Sequence, residues 1–339
     1  MSQLFPTELI GSYALPSWLW IATERAEERG DLGESDIKET LDDAVNMAVL
    51  DQQKAGIDIL TDGEMRRRDF IQNFYGLMSG LNKISPKRTF GSAGYDQNPR
   101  YEVVSEVTAP NGLGVVEELE YLQTMTDQPF KICVPGPITL SLPLILKGGY
   151  PDKESLVAAM IQIVNAEMKA LVSAGATYLQ VDEPRYATTH EDAKNLITIF
   201  NKTRDGVDAT VGLHFCFGNF KGRSHDKRNY SYITPNLGNA NCDQFNFEFA
   251  NREFAQIGLL EELPADCKVG VGVVDVKSYF VETPEEVADS IRLAAKHVAP
   301  ERIVVTPDCG FNHCPRHVAF GKMKSMVAGA AIVRKELAG

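Results

Sequence analysis

Apolar positions along this 339-residue chain follow a repeating alternation. Short runs of consecutive apolar or β-branched residues end in polar residues, Gly or Pro, and longer amphipathic stretches follow them. Runs of the first kind suit strands buried on both faces, and the longer stretches suit helices. The predicted strands are ELIGS (8–12), GIDILTDGE (56–64), FKICVPGP (130–137), TYLQVDEP (177–184), VGLHFC (211–216), QFNFEF (244–249), VGVGVVD (269–275) and RIVVTPDCG (302–310). Among the helical stretches, SDIKETLDDAVNMAVLDQQKAG has Ser35 as its expected N-cap, Ile37, Leu41, Val45 and Ala48 at helical spacing, and Gly56 as the stop. The stretch 152–175 repeats the plan, with Asp152 as the cap and Gly175 at the end. TPEEVADSIRLAAKHV (283–298) opens with a Thr cap and a Pro at the first helical position. RHVAFGKMKSMVAGAAIVRKEL is predicted to close the chain as a helix.

Eight strand-then-helix units predict an α/β fold, a (β/α)8 TIM barrel, with residues 1–339 forming a single catalytic domain. An open doubly wound sheet fits less well, because no G-x-G-x-x-G turn follows the first strand. A phosphate loop is also missing, which argues against nucleotide binding. Two stretches interrupt the rhythm. Residues 85–112, rich in Gly, Pro and Asn, are expected as a hairpin excursion; residues 217–243 are expected as a long insert at the active site.

In such a barrel all strand C-termini open onto one face, where chemistry gathers. That face is predicted to hold Ser12, Glu64, Pro135, Gly136, Asp182, Glu183, His214, Cys216, Glu248, Asp275, Asp308 and Cys309. His214 and Cys216 stand two apart on one strand, so they project to the same side, about 7 Å apart along the chain. Taken alone, the pair reads more readily as a buried thiol beside a core histidine. With Glu248 ending the next strand and Cys309 the last, two thiolates, an imidazole and a carboxylate become candidate ligands of one metal. That donor set favours Zn2+ over Mg2+ or Ca2+, which prefer oxygen.

Composition narrows the partners. A formal net charge of −12 disfavours attraction to nucleic acid or an anionic membrane surface. No apolar run approaches the roughly 20 residues of a bilayer span, and the first residues lack a leader pattern. A cytoplasmic enzyme is expected. Six scattered cysteines read as thiols, Cys133, Cys242 and Cys267 as structural ones. Cys314 is expected to begin the final helix without acting as a ligand, and His313 and His317 to lie in solvated loop positions.

The segments LIGSY, DGE, VPGPIT, LQVDEP, LHFC, NFEF and TPDCG occur in the order found in the catalytic barrel of cobalamin-independent methionine synthase. The chain resembles that family over roughly residues 8–335. The resemblance implies a Zn2+ held by His214, Cys216, Glu248 and Cys309, and methyl transfer to the thiol of homocysteine to form methionine. It also implies that Ile10, Gly11, Ser12, Glu64 and Asp182 hold the amino-acid end of homocysteine. A free thiol has a pKa of about 8.5 and needs activation at neutral pH. Four protein ligands close a zinc shell, so one must leave or the shell expand; Glu248 is the expected labile one.

The chain departs from the family in three respects. These 339 residues hold no counterpart of the additional amino-terminal barrel of the full-length members, and a short single-barrel core relative is expected. The tryptophan expected just after GPIT is absent from PGPITLSLPLIL. Where the family has a proton-donating histidine, this chain has Lys277, expected to donate only if its pKa is lowered by burial or by zinc. The methyl donor therefore stays open among methylfolate, a methyl-corrinoid carrier protein and a small methylated metabolite. Basic residues at 66–68 (Arg66, Arg67, Arg68) and in the insert (Lys221, Arg223, Lys227, Arg228) suit an anionic donor or carrier; the plainer reading is a solvated rim paired with Asp69 and Asp226.

Three other readings compete. One is a zinc alkyltransferase acting on another thiol such as coenzyme M, although Glu64 and Asp182 favour an ammonium over a sulfonate. Another is a metal-free barrel resembling uroporphyrinogen decarboxylase. The third is a non-catalytic thiol- or zinc-binding accessory protein.

Overall fold

The computed structural model describes residues 3–67, 69–85, 100–187, 192–218 and 228–338. Nine strands occur among them: β1 (Ser79–Ile84), β2 (Arg100–Thr108), β3 (Ile132–Pro135), β4 (Ile145–Leu146), β5 (Tyr178–Asp182), β6 (Thr210–Phe215), β7 (Gln244–Phe247), β8 (Lys268–Val274) and β9 (Ile303–Pro307). Strands β3, β5, β6, β7, β8 and β9 lie side by side in that order, all parallel. Isolated parallel bridges carry the ring from β9 back to β3: Thr7 pairs with Val305, Glu8 with Ile59, and Leu60 with Phe130. The eight predicted strand positions are thus the staves of the barrel, two of them joined only by single bridges.

The helices are α1 (Ser17–Arg29), α2 (Glu34–Ala55), α3 (Gln72–Tyr75), α4 (Val115–Met125), α5 (Pro137–Ser141), α6 (Lys153–Ser173), α7 (Ala193–Arg204), α8 (Thr234–Leu237), α9 (Pro284–Ala294) and α10 (Arg316–Ala338). Local chemistry sets their ends. Asp152 accepts from Ser155 N at the start of α6, and Thr283 and Glu286 form a reciprocal capping box ahead of Pro284 in α9. Gly56 ends α2 with φ 87, a left-handed conformation that glycine adopts without strain. The expected Ser35 cap is corrected: the N-cap is Gly33, two residues earlier, with its N–H donating to Asp36 at 2.9 Å. Helix α6 is long and apolar enough by composition to cross a membrane, but its Leu156, Met160, Val164, Met168 and Leu171 are buried in the core. That is how a helix covering a parallel sheet reads.

The excursion is an antiparallel pair, β1 with β2, and it starts at Ser79 rather than 85. β4 adds to β2 in parallel, a strand too short to leave a pattern in the sequence. Much of the predicted 217–243 insert, including Lys221, Arg223, Asp226 and Lys227, lies outside the described residues, as does Arg68.

Candidate active site

His214 is the penultimate residue of β6, Cys216 follows the strand, and Cys309 follows β9. One ligand-capable atom from each lies within 4.8 Å of the others, and the two sulfurs are 3.6 Å apart. His214 Nδ1 sits 2.8 Å from Asp182 Oδ1, while its Nε2 makes no hydrogen bond among the described residues. Burial opposes charge on His214, but the Asp182 hydrogen bond and the nearby Cys309 outweigh it and raise its pKa to about 9. The two thiols share a proton unequally: their mutual hydrogen bond pushes Cys216 up and Cys309 down, with His214 also stabilising the Cys309 thiolate.

Glu248, just past β7, is fully buried nearby but does not join this group, so three of the four expected ligands are brought within 4.8 Å of one another and the carboxylate is not. Its Oε1 has no hydrogen-bond partner among the described residues, while its Oε2 accepts from Phe217 N at 3.2 Å and lies 2.7 Å from Lys277 Nζ. Lys277 does not match the expectation of a lowered pKa. Burial disfavours its ammonium, but Glu248 and then Asp308 outweigh that and hold its pKa above the ordinary lysine value. Asp308, expected on the pocket face, instead anchors the chain after Glu248 by accepting from the N–H groups of Phe249, Ala250 and Asn251.

A second acidic group adjoins the first. Carboxylate oxygens of Glu64 and Asp182 lie within 4.8 Å of each other and of Cys133 Sγ. Asp182 Oδ2 is buried without a hydrogen-bond partner among the described residues. Glu64 has φ 56, strained for a residue with a Cβ, and burial pushes its pKa up to about 8 against the pull of Arg67. Gly11 is required here: its φ is 81, and a Cβ would fall 2.5 Å from Glu64 Oε1. Thr61 Oγ1 fixes the same turn by donating to Gly11 O at 2.7 Å, and Phe311 N fixes the next residue by donating to Ser12 O at 2.8 Å. Cys133, expected as purely structural, is part of this wall; burial holds it as a neutral thiol.

Both groups border one cavity of about 410 Å3, which Ile10, Ser12, Glu64, Asp182, His214, Cys216 and Cys309 all line. Arg100 and Tyr101 of β2, with Tyr75 and Arg185, line its outer part, a contribution that strand-end reasoning missed. Arg66 and Arg67 of the basic run do not form a free rim. Arg66 pairs with Asp42 and lies over the Tyr121 ring at 4.5 Å. Arg67 is buried, 2.6 Å from Glu118 Oε2 and 3.0 Å from Glu64 Oε1. Cys314 donates to Val276 O just ahead of α10, consistent with its expected place outside the ligand group.

Fold and site together define an α/β-barrel enzyme whose reactive side chains sit at the C-terminal ends of the strands. Residues 5–332 match the catalytic domain of the cobalamin-independent synthase. The methionine synthase of Sulfurisphaera tokodaii is 36% identical over 334 residues, 98% of this chain and 94% of that protein. That of Saccharolobus solfataricus is 34% identical over 98% of this chain and 96% of its own length. A B12-independent methionine synthase from a Shewanella species, solved with selenomethionine, superposes with a TM-score of 0.86 at 30% identity, covering 99% of both chains. This chain belongs to the cobalamin-independent methionine synthase family.

Proposed function

We propose that this enzyme transfers a methyl group to the thiol of homocysteine, forming methionine, with a Zn2+ held by His214, Cys216, Cys309 and Glu248. The observation that carries the reading is the grouping of the His214 imidazole and two adjacent sulfurs on a cavity that Glu64 and Asp182 also line, with a fully buried Glu248 on the next strand whose Oε1 has no hydrogen-bond partner among the described residues. Zinc–sulfur bonds of about 2.3 Å in a tetrahedral shell place two sulfurs about 3.8 Å apart. The 3.6 Å separation of Cys216 and Cys309 fits that geometry. Bound zinc supplies the Lewis acidity that keeps a thiol deprotonated yet nucleophilic at neutral pH.

The protein's own groups do the rest. Asp182 Oδ2, and Glu64 once an incoming ammonium displaces its proton, offer negative charge to the acceptor, and the Gly11–Ser12 turn offers backbone beside them. A sulfonate acceptor such as coenzyme M would meet the same two carboxylates, which disfavours that alternative. Lys277 gives Glu248 a resting partner and supports Glu248 as the labile ligand. On the donor side, Arg100 and Arg185 at the outer cavity wall suit an anionic methyl donor or carrier, and the Tyr75–Tyr101 pair, with centroids 5.0 Å apart, suits a flat one. Thiolate chemistry and six free cysteines suit a reducing compartment, the cytoplasm.

Metal analysis of the purified chain and methionine formation from homocysteine, with methylfolate and methylcobalamin offered separately, test the proposal. About one zinc per chain and a zinc-dependent product are expected. Metal-free protein forming methionine at the full rate would overturn it.

A further inference from the structure

Beneath the site the barrel is filled by polar side chains rather than by the usual branched apolar layers. Lys131 Nζ lies 2.6 Å from Glu8 Oε1 and 2.7 Å from Gln180 Oε1, and all three side chains are fully buried. Asn246 Nδ2 donates to the same Gln180 Oε1 at 3.0 Å. On its other side, Gln180 Nε2 donates to Asp182 Oδ1 at 2.8 Å, and that oxygen is the one facing His214 Nδ1 at 2.8 Å. The backbone makes room for this: a Cβ on Gly270 would fall 1.9 Å from Asn246 Oδ1.

The order of donors and acceptors along this line has one solution. A lysine ammonium only donates, so the Gln180 atom facing it is the carbonyl oxygen and the amide nitrogen must face Asp182. A carboxylate only accepts, so the His214 nitrogen facing Asp182 carries its hydrogen. In the neutral ring Nε2 is then the nitrogen with a free lone pair.

We propose that Lys131 and Gln180 are positioning residues for the metal centre, the buried ammonium fixing the Gln180 amide, the amide fixing Asp182, and Asp182 fixing the ring and tautomer of His214. This rests on the zinc reading given above. Asp182 divides its two oxygens between tasks. Oδ1 is held by Gln180 and His214, and Oδ2, without a hydrogen-bond partner, is left for the acceptor. Without Lys131 the Gln180 oxygen keeps only its hydrogen bond from Asn246 Nδ2, so the amide is held less firmly and a turn of its oxygen toward Asp182 would repel the carboxylate from its place under His214.

The test measures Zn2+ affinity by competition with a chromophoric chelator, and the visible spectrum of the Co2+-substituted protein, on the full chain. Gln180→Met is expected to weaken zinc binding by about 10–100-fold, the range typical when an outer partner of a ligand is lost. It should also shift the Co2+ bands, which lost packing alone would not move. The double variant Lys131→Met with Glu8→Gln leaves Gln180 in place and strands no buried charge. It should weaken zinc binding in the same direction, although neither changed residue approaches the metal ligands. Either variant that melts cooperatively is sufficient to decide. Parental affinity and an unchanged Co2+ spectrum in a folded variant would overturn the proposal alone. A parent chain that binds no zinc would overturn it together with the zinc reading.

Discussion

Lys277 Nζ stands 2.7 Å from Glu248 Oε2, and both side chains are almost fully shut off from solvent. A position expected to hand over a proton is thus tied to a residue expected to bind metal. A buried carboxylate stripped of its cation is costly, about 3–5 kcal/mol in typical cases. Lys277→Met is therefore expected to melt well below the parent in the presence of chelator. Added Zn2+, as a replacement cation for Glu248, should raise the melting temperature of the variant more than that of the parent. Equal zinc shifts in thermal melts of the two proteins would count against Glu248 as a ligand.

Cys309→Ser removes one of two sulfurs 3.6 Å apart and the group best placed to be a thiolate. Bound zinc should drop from about one per chain to a small fraction, with loss of methionine formation. Metal content by plasma emission and an activity assay on the same sample check both. Full zinc retention would remove Cys309 from the ligand set.

Glu64 has its pKa pushed to about 8, so in the empty cavity at pH 7 it is mostly protonated. An incoming ammonium favours its ionised form and should expel that proton. Methionine is the proper probe, because it has the ammonium and no thiol proton. Calorimetry of methionine binding at pH 7 in two buffers of different ionisation heat should report release of a substantial fraction of one proton. Identical heats in the two buffers would show that Glu64 is already charged.

The same burial has a consequence for stability. Asp62, raised to about 6, and Glu64, raised to about 8, both bind protons more tightly in the folded chain than in the unfolded one. Their contribution is fully present below their ordinary pKa values near 4 and is lost as pH rises through the folded values. The metal-free, ligand-free protein should accordingly melt at lower temperature at pH 8 than at pH 5.5. A Glu64→Gln variant should reduce that decline; a slope unchanged by the substitution would refute the assignment.

Gly270→Ala places a methyl group 1.9 Å from Asn246 Oδ1 in a fully buried layer. Overpacking of this kind costs about 1–3 kcal/mol. Denaturant unfolding should show that loss, and Asn246→Ala in the same chain should recover part of it.

The sequence carried most of the barrel because strands buried on both faces read as continuous apolar runs, from GIDIL to RIVV. His214, Cys216 and Cys309 were legible for a related reason: each ends or follows such a run, so the fold itself delivers them to one rim. Arg66 and Arg67 were misread as rim cations because their partners, Asp42 and Glu118, come from distant segments that no local pattern connects to them. Lys277 posed a similar problem. Burial alone lowers a lysine pKa, and Glu248 and Asp308, brought beside Lys277 by the fold from other segments, reverse the sign. The polar line from Lys131 to His214 was invisible for want of periodicity, although each of its members stands within a predicted strand.

The ring is unevenly stitched. His214, Cys216, Glu248 and Cys309 stand on, or just past, strands of the continuously bonded six-stranded arc, whereas Ile10 to Ser12 and Glu64 follow the two staves held by lone bridges. Local opening is therefore expected first where Thr7, Glu8, Ile59 and Leu60 meet their neighbours, beside the Gly11 turn and Glu64, whereas the arc that bears Asp182, His214 and Cys309 stays paired along its strands.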